Sequence, residues 1–199
     1  MITNDHIYSL LNDIALHNSE KAYKQLFMEM HEGLIDFAKS ILNSSEDAEE
    51  VVSDFFIVIW QRRALLKEIE NPKLYFFAGV KNTALNKIKS RKRIKPLHNQ
   101  DAVWQTSLKS VFFNPEELML SAEIVKKVMQ AINELPPKCK IIFKLVKEEG
   151  LKYAEVAKLL DISIKTVEAQ MAIAIRRIKT HSEFKNEFPE LHSIITQKK

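Results

Sequence analysis

The sequence predicts an all-α protein of two small helical domains joined by a linker. The N-terminal domain has four helices and the C-terminal domain carries a helix-turn-helix. Three observations predict this. The 199 residues include only 3 Gly, too few for a chain of tight β-turns or phosphate-cradling loops. Apolar residues recur at helical spacing, with no stretch of strand-like alternation. Helix-start signals fall into two groups on either side of residues 96–114, which show no sustained period. The expected divisions are 1–95, a linker 96–114, a second domain 115–182 and a tail 183–199.

Each helix has a local reason. Thr3 or Asn4 can cap a first helix whose apolar residues are Ile7, Leu10, Leu11 and Ile14. Ser19 can cap the next, with Ala22, Tyr23, Leu26, Phe27, Met30, Leu34, Phe37, Ala38 and Ile41 at helical spacing. Ser44 or Ser45 precedes Glu46, Asp47, Glu49 and Glu50, acids that favour the positive end of a helix dipole. Asn71-Pro72 pairs a cap with proline at the first helical position. That fourth helix can run through LYFFAGVKNTALNKIKSRKR. Between the third and fourth helices, Arg63 to Asn71 is expected to be loop.

The linker contains Trp104, Phe112 and Phe113, which suit packing against a domain. Asn114-Pro115 opens the second group with Leu118, Ala122, Val125, Met129 and Ile132 on one face, and Pro136-Pro137 is expected to stop that helix. Lys138 to Glu149 follows, with Ile141, Ile142, Leu145 and Val146 inward and Gly150 as the stop. In the tail, Phe184, Phe188, Leu191 and Ile195 can form one or two further amphipathic turns.

The pair Tyr153–Leu160 and Ile164–Lys179 reads as a helix-turn-helix. Ala157 is small where the two helices approach, and Val156, Leu160, Ile162 and Val167 supply a shared core. Asp161 stands where a left-handed residue is needed, and Ser163 can cap the second helix. Ile164, Val167, Met171, Ala174, Ile175 and Ile178 form its apolar face. Lys165, Thr166, Glu168, Ala169, Gln170, Ile173, Arg176 and Arg177 form the other, which can enter a major groove. Glu168 can accept from cytosine N4 and Gln170 can pair with adenine, while Arg176 and Arg177 suit phosphates or the helix's own C-terminal dipole. A plain helical hairpin is the alternative reading.

A second nucleic-acid surface is expected on the fourth helix. Phe77, Ala84, Leu85 and Ile88 point inward. Asn82 and Asn86 lie four apart on one face and can hydrogen-bond base edges, with Lys81, Lys87 and Lys89 beside them. Arg91, Lys92, Arg93 and Lys95 can follow a phosphate backbone. Tyr75 and Phe76 can stack on unpaired bases, and core packing is equally open to Phe76. In AEEVVSDFFIVIWQRR the apolar residues exceed one stripe. Val51, Val52, Phe55 and Ile59 suit the core. Phe56, Ile57 and Trp60, edged by Asp54, Gln61, Arg62 and Arg63, suit either a protein partner or burial in a larger bundle.

Charge sharpens this reading. Residues 1–80 carry 13 acidic and 7 basic side chains, whereas residues 81–100 carry 7 basic and none acidic, so the formal +4 hides a local basic stretch suited to one polyanion contact or to a solvated helix end. One cysteine excludes an internal disulfide framework, and six scattered histidines offer no metal-ligand spacing. No enzyme, metal, cofactor or small-molecule substrate is expected. The longest apolar run, Phe55 to Trp60, is too short for membrane insertion, and the first residues do not read as a signal peptide, so a cytoplasmic protein is expected.

Taken together, DAEEVVSDFFIVIWQRR, LYFFAGVKNTALNKIKSRKR and INELPPKCKIIFKLVKEEGLKYAEVAKLLDISIKTVEAQMAIAIRRIK, in this order and spacing, resemble the extracytoplasmic-function sigma factors of the sigma-70 family over residues 20–182. The resemblance implies sigma-2-like and sigma-4-like domains that bind core RNA polymerase and promoter DNA, as duplex and as melted single strand. It implies core-polymerase contact at Asp54, Phe56, Ile57, Trp60, Gln61 and Arg62. It implies minus-10 contact along Tyr75–Arg91, including Asn82 and Asn86, and a base-holding role for Arg63 to Asn71. It implies minus-35 readout by Ser163, Lys165, Thr166, Glu168, Ala169, Gln170, Ile173, Arg176 and Arg177, and an anti-sigma protein as inhibitor. Many family members carry an acidic residue at the position of Asn86 and a basic one at Glu168 or Gln170, so promoter sequence does not transfer. Two other classes stand beside this reading: a conventional helix-turn-helix regulator binding duplex DNA as a dimer, and a helical adaptor with no nucleic-acid role.

Overall fold

A computed structural model describes residues 2–94 and 122–180, and the secondary structure in both stretches is helical throughout. They belong to two separate units, one within Ile2–Ser107 and one within Leu108–Lys199. The linker, the helix start at Asn114-Pro115 and the tail lie outside the described residues.

The first unit contains α1 (Asn4–His17), α2 (Glu20–Leu42), α3 (Ser45–Gln61), a 3-10 helix (Arg63–Glu68) and α4 (Pro72–Ile94). Capping is as local sequence predicts. Thr3, Ser19 and Ser44 accept the backbone amides of His6, Ala22 and Asp47, and the Asn71 side chain accepts that of Leu74. Each such cap contributes about 1 kcal/mol. Helices α1 and α2 end in left-handed Asn18 and Asn43. The core joins Ile7, Leu11 and Ile14 of α1 to Leu26, Met30, Leu34 and Phe37 of α2, Val51, Val52, Phe55, Phe56 and Ile59 of α3, and Phe76, Phe77, Val80 and Ala84 of α4. A Cβ at Gly79 would stand 2.1 Å from the Phe55 ring, so α3 and α4 cross at a point that only glycine allows. The expected loop after α3 is instead mostly 3-10 helix, with Leu66 buried beneath it.

The second unit contains α5 (Ala122–Asn133), α6 (Pro137–Lys147), α7 (Tyr153–Leu160) and α8 (Ile164–Thr180). Pro137 does more than stop the preceding helix: it is the first residue of α6, where its missing N–H costs nothing. Helix α6 is buried on every side from Cys139 to Val146, beyond the four inward residues the sequence indicated. The apolar stems of Lys140 and Lys144 allow this. Gly150 ends the segment at φ 72°.

Candidate nucleic-acid and partner-binding surfaces

The helix-turn-helix forms as its residues dictate. Asp161 adopts φ 55°, and the Ile162 amide reaches back to the Ala157 carbonyl at 3.0 Å. Ser163 Oγ accepts the Thr166 amide at 3.0 Å and lies 2.8 Å from Thr166 Oγ1. Val167, Met171, Ala174 and Ile178 are buried. Ile164, expected on that apolar face, is exposed, because the Ser163 cap places it ahead of the helix's first contact with the core. Lys165, Glu168, Ala169, Ala172 and Arg176 are exposed at positions i, i+3, i+4, i+7 and i+11, a continuous outer stripe. Ala172 was not among the outer-face residues expected from the sequence, although it follows Ala169 and Glu168 at helical spacing. Gln170 and Ile173 are half-buried at the edge, Thr166 is half-buried, and Arg177 is exposed on the flank. The Gln170 carbonyl accepts a hydrogen bond from Cys139 Sγ, which ties α8 to α6. Burial raises the Cys139 thiol pKa, against the pull of nearby Arg177, so the sulfur stays a protonated donor.

On α4, Tyr75, Asn82, Asn86 and Lys89 are exposed along one face, with Lys81 half-buried beside it. Phe76 is 0% exposed, with its ring 5.4 Å from that of Phe55 and 5.9 Å from that of Phe56. It is a core residue and cannot stack on a base. Lys87 is also reassigned: its Nζ lies 2.5 Å from Glu50 Oε2 and 3.2 Å from Asp47 Oδ1. Arg91 donates from both terminal nitrogens to the Asp47 carboxylate while most of its side chain stays exposed. Two of the expected minus-10 residues, Lys87 beside the asparagines and Arg91 on the phosphate track, are therefore bound to acids at the start of α3.

On α3, Asp54, Ile57, Val58 and Gln61 are exposed at i, i+3, i+4 and i+7. Two apolar side chains stand next to each other on this water-facing stripe, Ile57 at 53% and Val58 at 40% exposure. Val58 was missed because periodicity alone did not separate it from the inward set. Phe56, expected at this surface, is 1% exposed and packs on Phe27 at a ring separation of 4.8 Å. The fold gives α3 two neighbours at that point, α2 and α4, so a residue pointing between them is enclosed. Trp60 is half-buried: Tyr23 packs on it at 4.9 Å, and the Arg63 guanidinium lies 4.8 Å from its ring centroid. Tyr23 also donates to the Phe56 carbonyl at 2.9 Å, and burial raises its pKa, so α2 holds α3 through a neutral phenol. Arg62 is exposed at the end of the stripe.

Among the described residues no group of His, Cys, Asp or Glu is arranged to hold a metal, and no helix is long and apolar enough to cross a membrane. The described residues present three exposed faces: a partly apolar stripe on α3, an amide-bearing face on α4 and the outer stripe of α8.

These features define an all-helical protein with a helix-turn-helix in its second unit. Comparison with known families places it. Residues 26–94 match Sigma-70 region 2 and residues 126–178 match Sigma-70, region 4. The ECF RNA polymerase sigma-E factor of Escherichia coli (strain K12) is 27% identical over 132 residues, which is 64% of this chain and 69% of that one. The sigma-E factor of Salmonella typhimurium (strain LT2) is similar to the same extent. The RNA polymerase sigma-H factor of Pseudomonas aeruginosa is 22% identical over 177 residues, 86% of this chain and 91% of that one. A solved structure of CnrH in complex with the cytosolic domain of CnrY is 16% identical, with a TM-score of 0.46, over 88% of this chain and 96% of that one. The chain belongs to the sigma-70 family, in its extracytoplasmic-function group, and is a promoter-directing sigma factor. The alternative of a dimeric duplex-binding regulator is not favoured, since region 2 occupies the N-terminal unit where a sensory or dimerising domain would stand.

Proposed function

We propose that the three surfaces divide the work of initiation. The α3 stripe of Asp54, Ile57, Val58 and Gln61, with the edge of Trp60 and with Arg62, docks on core RNA polymerase. The α4 face of Tyr75, Lys81, Asn82, Asn86 and Lys89 receives one displaced strand of the minus-10 element, with Arg63 to Asn71 holding an unpaired base. The α8 stripe of Lys165, Glu168, Ala169, Ala172 and Arg176, flanked by Ser163, Thr166, Gln170, Ile173 and Arg177, reads the minus-35 element in the duplex. Domain limits of 1–95 and 115–182, with the linker between them, go with this division.

The observation that carries the reading is the α4 face. Two exposed amides one turn apart, beside an exposed tyrosine, suit unpaired bases, whose edges and faces are both available. Unstacking a base step costs a few kcal/mol, and contacts on this face offset it. The chain acts by binding, with no catalytic step of its own, in the cytoplasm where promoter DNA and polymerase are. An anti-sigma protein would silence it by covering the same faces.

The test separates strand capture from docking. In open complexes probed with permanganate, Asn82→Ala/Asn86→Ala is expected to reduce thymine reactivity at the minus-10 element at least about tenfold, the sum of two lost amide contacts. Its affinity for core polymerase is expected to stay within about twofold. Equal loss of both would contradict the assignment.

A further inference from the structure

Helix α1 precedes the matched region 2 residues, and none of the three surfaces uses it. It nevertheless lies along the Arg63–Glu68 3-10 helix and is tied to that segment and the start of α4 at both ends. Near its C-terminus, Asn18 Oδ1 accepts from Arg63 Nε at 2.5 Å. Near its N-terminus, the Tyr8 hydroxyl donates to the Glu70 carbonyl, and Asn4 Oδ1 accepts the Lys73 amide at 3.4 Å. The two elements run antiparallel and match in length. Ten helical residues from Tyr8 to Asn18 span about 15 Å. The path from Arg63 to Glu70, five steps of 3-10 helix and two of extended chain, spans roughly 14–17 Å.

We propose that α1 is a brace that fixes the shape of Arg63–Asn71, and that Tyr8, Asn18 and Asn4 are positioning residues for base preference at the minus-10 element. The proposal rests on the reading of that segment as the holder of an unpaired base. A 3-10 run of six residues is longer than such helices sustain alone, and this one has no side-chain N-cap. Its single buried side chain is Leu66, while Ala64, Leu65, Lys67, Glu68 and Glu70 face water. The inner side is held, and the outer side is free to meet a base. Asn18 is itself fixed: it caps α1 in the left-handed region, and its amide bonds to the Ile14 carbonyl at 3.1 Å.

Two variants remove two of the three tethers, one near each end of α1, with little change in fold. Tyr8→Phe deletes one hydroxyl. Asn18→Gly deletes the acceptor and keeps a residue at ease with φ 50°. Full-length protein and purified core polymerase are used to transcribe a library randomised across the minus-10 element, beside core-affinity and melting measurements. Hydrogen exchange at the Leu65, Leu66 and Ile69 amides is read in the free protein. Each variant is expected to speed that exchange about fivefold or more, and to flatten preference at one minus-10 position by a similar factor, other positions and core affinity being kept. Wild-type exchange with a wild-type preference profile would overturn the brace, as would a uniform loss of activity at every position. Leu65→Ala and Lys67→Ala serve as controls on the outer side. If these leave the profile unchanged, the base-holding reading itself fails. If they alter it while Tyr8→Phe and Asn18→Gly do not, only the brace fails.

Discussion

At Asp47 the start of α3 meets the basic half of α4. Burial works to raise the pKa of this carboxyl, but hydrogen bonds from Arg91 and Lys87 outweigh it and hold the pKa below the usual carboxylate range. Burial likewise opposes the charge on Lys87, and Glu50 and Asp47 overcome it, raising its pKa. A depressed carboxylate stabilises the fold above its unfolded pKa, near 4, and that stability is lost as pH falls through the folded value. The raised lysine contributes below its ordinary pKa and loses its contribution as pH climbs through the folded one. Asp47→Asn is therefore expected to cost about 2 kcal/mol at pH 7 and to flatten the acid limb of the stability profile. Chemical denaturation between pH 3 and 8 measures both. A variant as stable as the parent at neutral pH would show that the pairs contribute nothing net. Nothing in the sequence joins residues forty positions apart, which is why Lys87 and Arg91 read as part of a DNA-facing surface until the fold brought them to an acid. Ile57, by contrast, was legible, because it is one apolar residue too many for its helix. Ile57→Asp leaves the core untouched and is expected to weaken core-polymerase binding about tenfold or more in a titration. Unchanged affinity would remove the stripe from the interface.

At the scale of elements, helix starts were readable because caps are local: Ser19, Ser44, Asn71 and Ser163 act within three residues of themselves. Helix faces were readable where one stripe is apolar, as in α1 and in α8 apart from exposed Ile164 and half-buried Ile175. They failed in α3 and α4, where Phe56 and Phe76 are enclosed by neighbours whose placement periodicity does not reveal. Gly79 belongs to the same lesson. In sequence it is a poor helix residue, and in the fold it is where the Phe55 ring crosses. Gly79→Ala improves helix propensity by about 1 kcal/mol. It also forces the ring aside at a typical overpacking cost of about 1–3 kcal/mol, so a net loss of stability is expected. A raised melting temperature would mean that α3 can retreat without penalty. Because α3 and α4 carry the proposed docking and strand-capture faces, the variant also tests whether their crossing sets the geometry of initiation.

At the scale of the molecule, the proposed division gives each unit an incomplete share of the work. The α8 outer stripe offers Lys165 and Arg176 against Glu168, with Arg177 at its flank, so few phosphates are neutralised and unaided affinity for duplex should be low. Residues 81–100 are the basic part of a unit that is otherwise acid-rich, and with Lys87 and Arg91 paired to Asp47 and Glu50 the remaining charge favours one restricted DNA contact in that unit. This charge division, the helix-turn-helix and the surplus apolar helix were all legible in the sequence, but it is the resemblance to sigma factors that implies a protein working through a larger machine. The most direct measurement is run-off transcription from a promoter-bearing template with purified core polymerase, paired with a binding assay of the free protein on the same duplex. The account predicts start-site-specific transcripts only when protein and core are both present, with weak and unspecific duplex binding by the protein alone. Tight, sequence-specific binding of intact duplex by the free protein, with no transcripts when core is added, would contradict it.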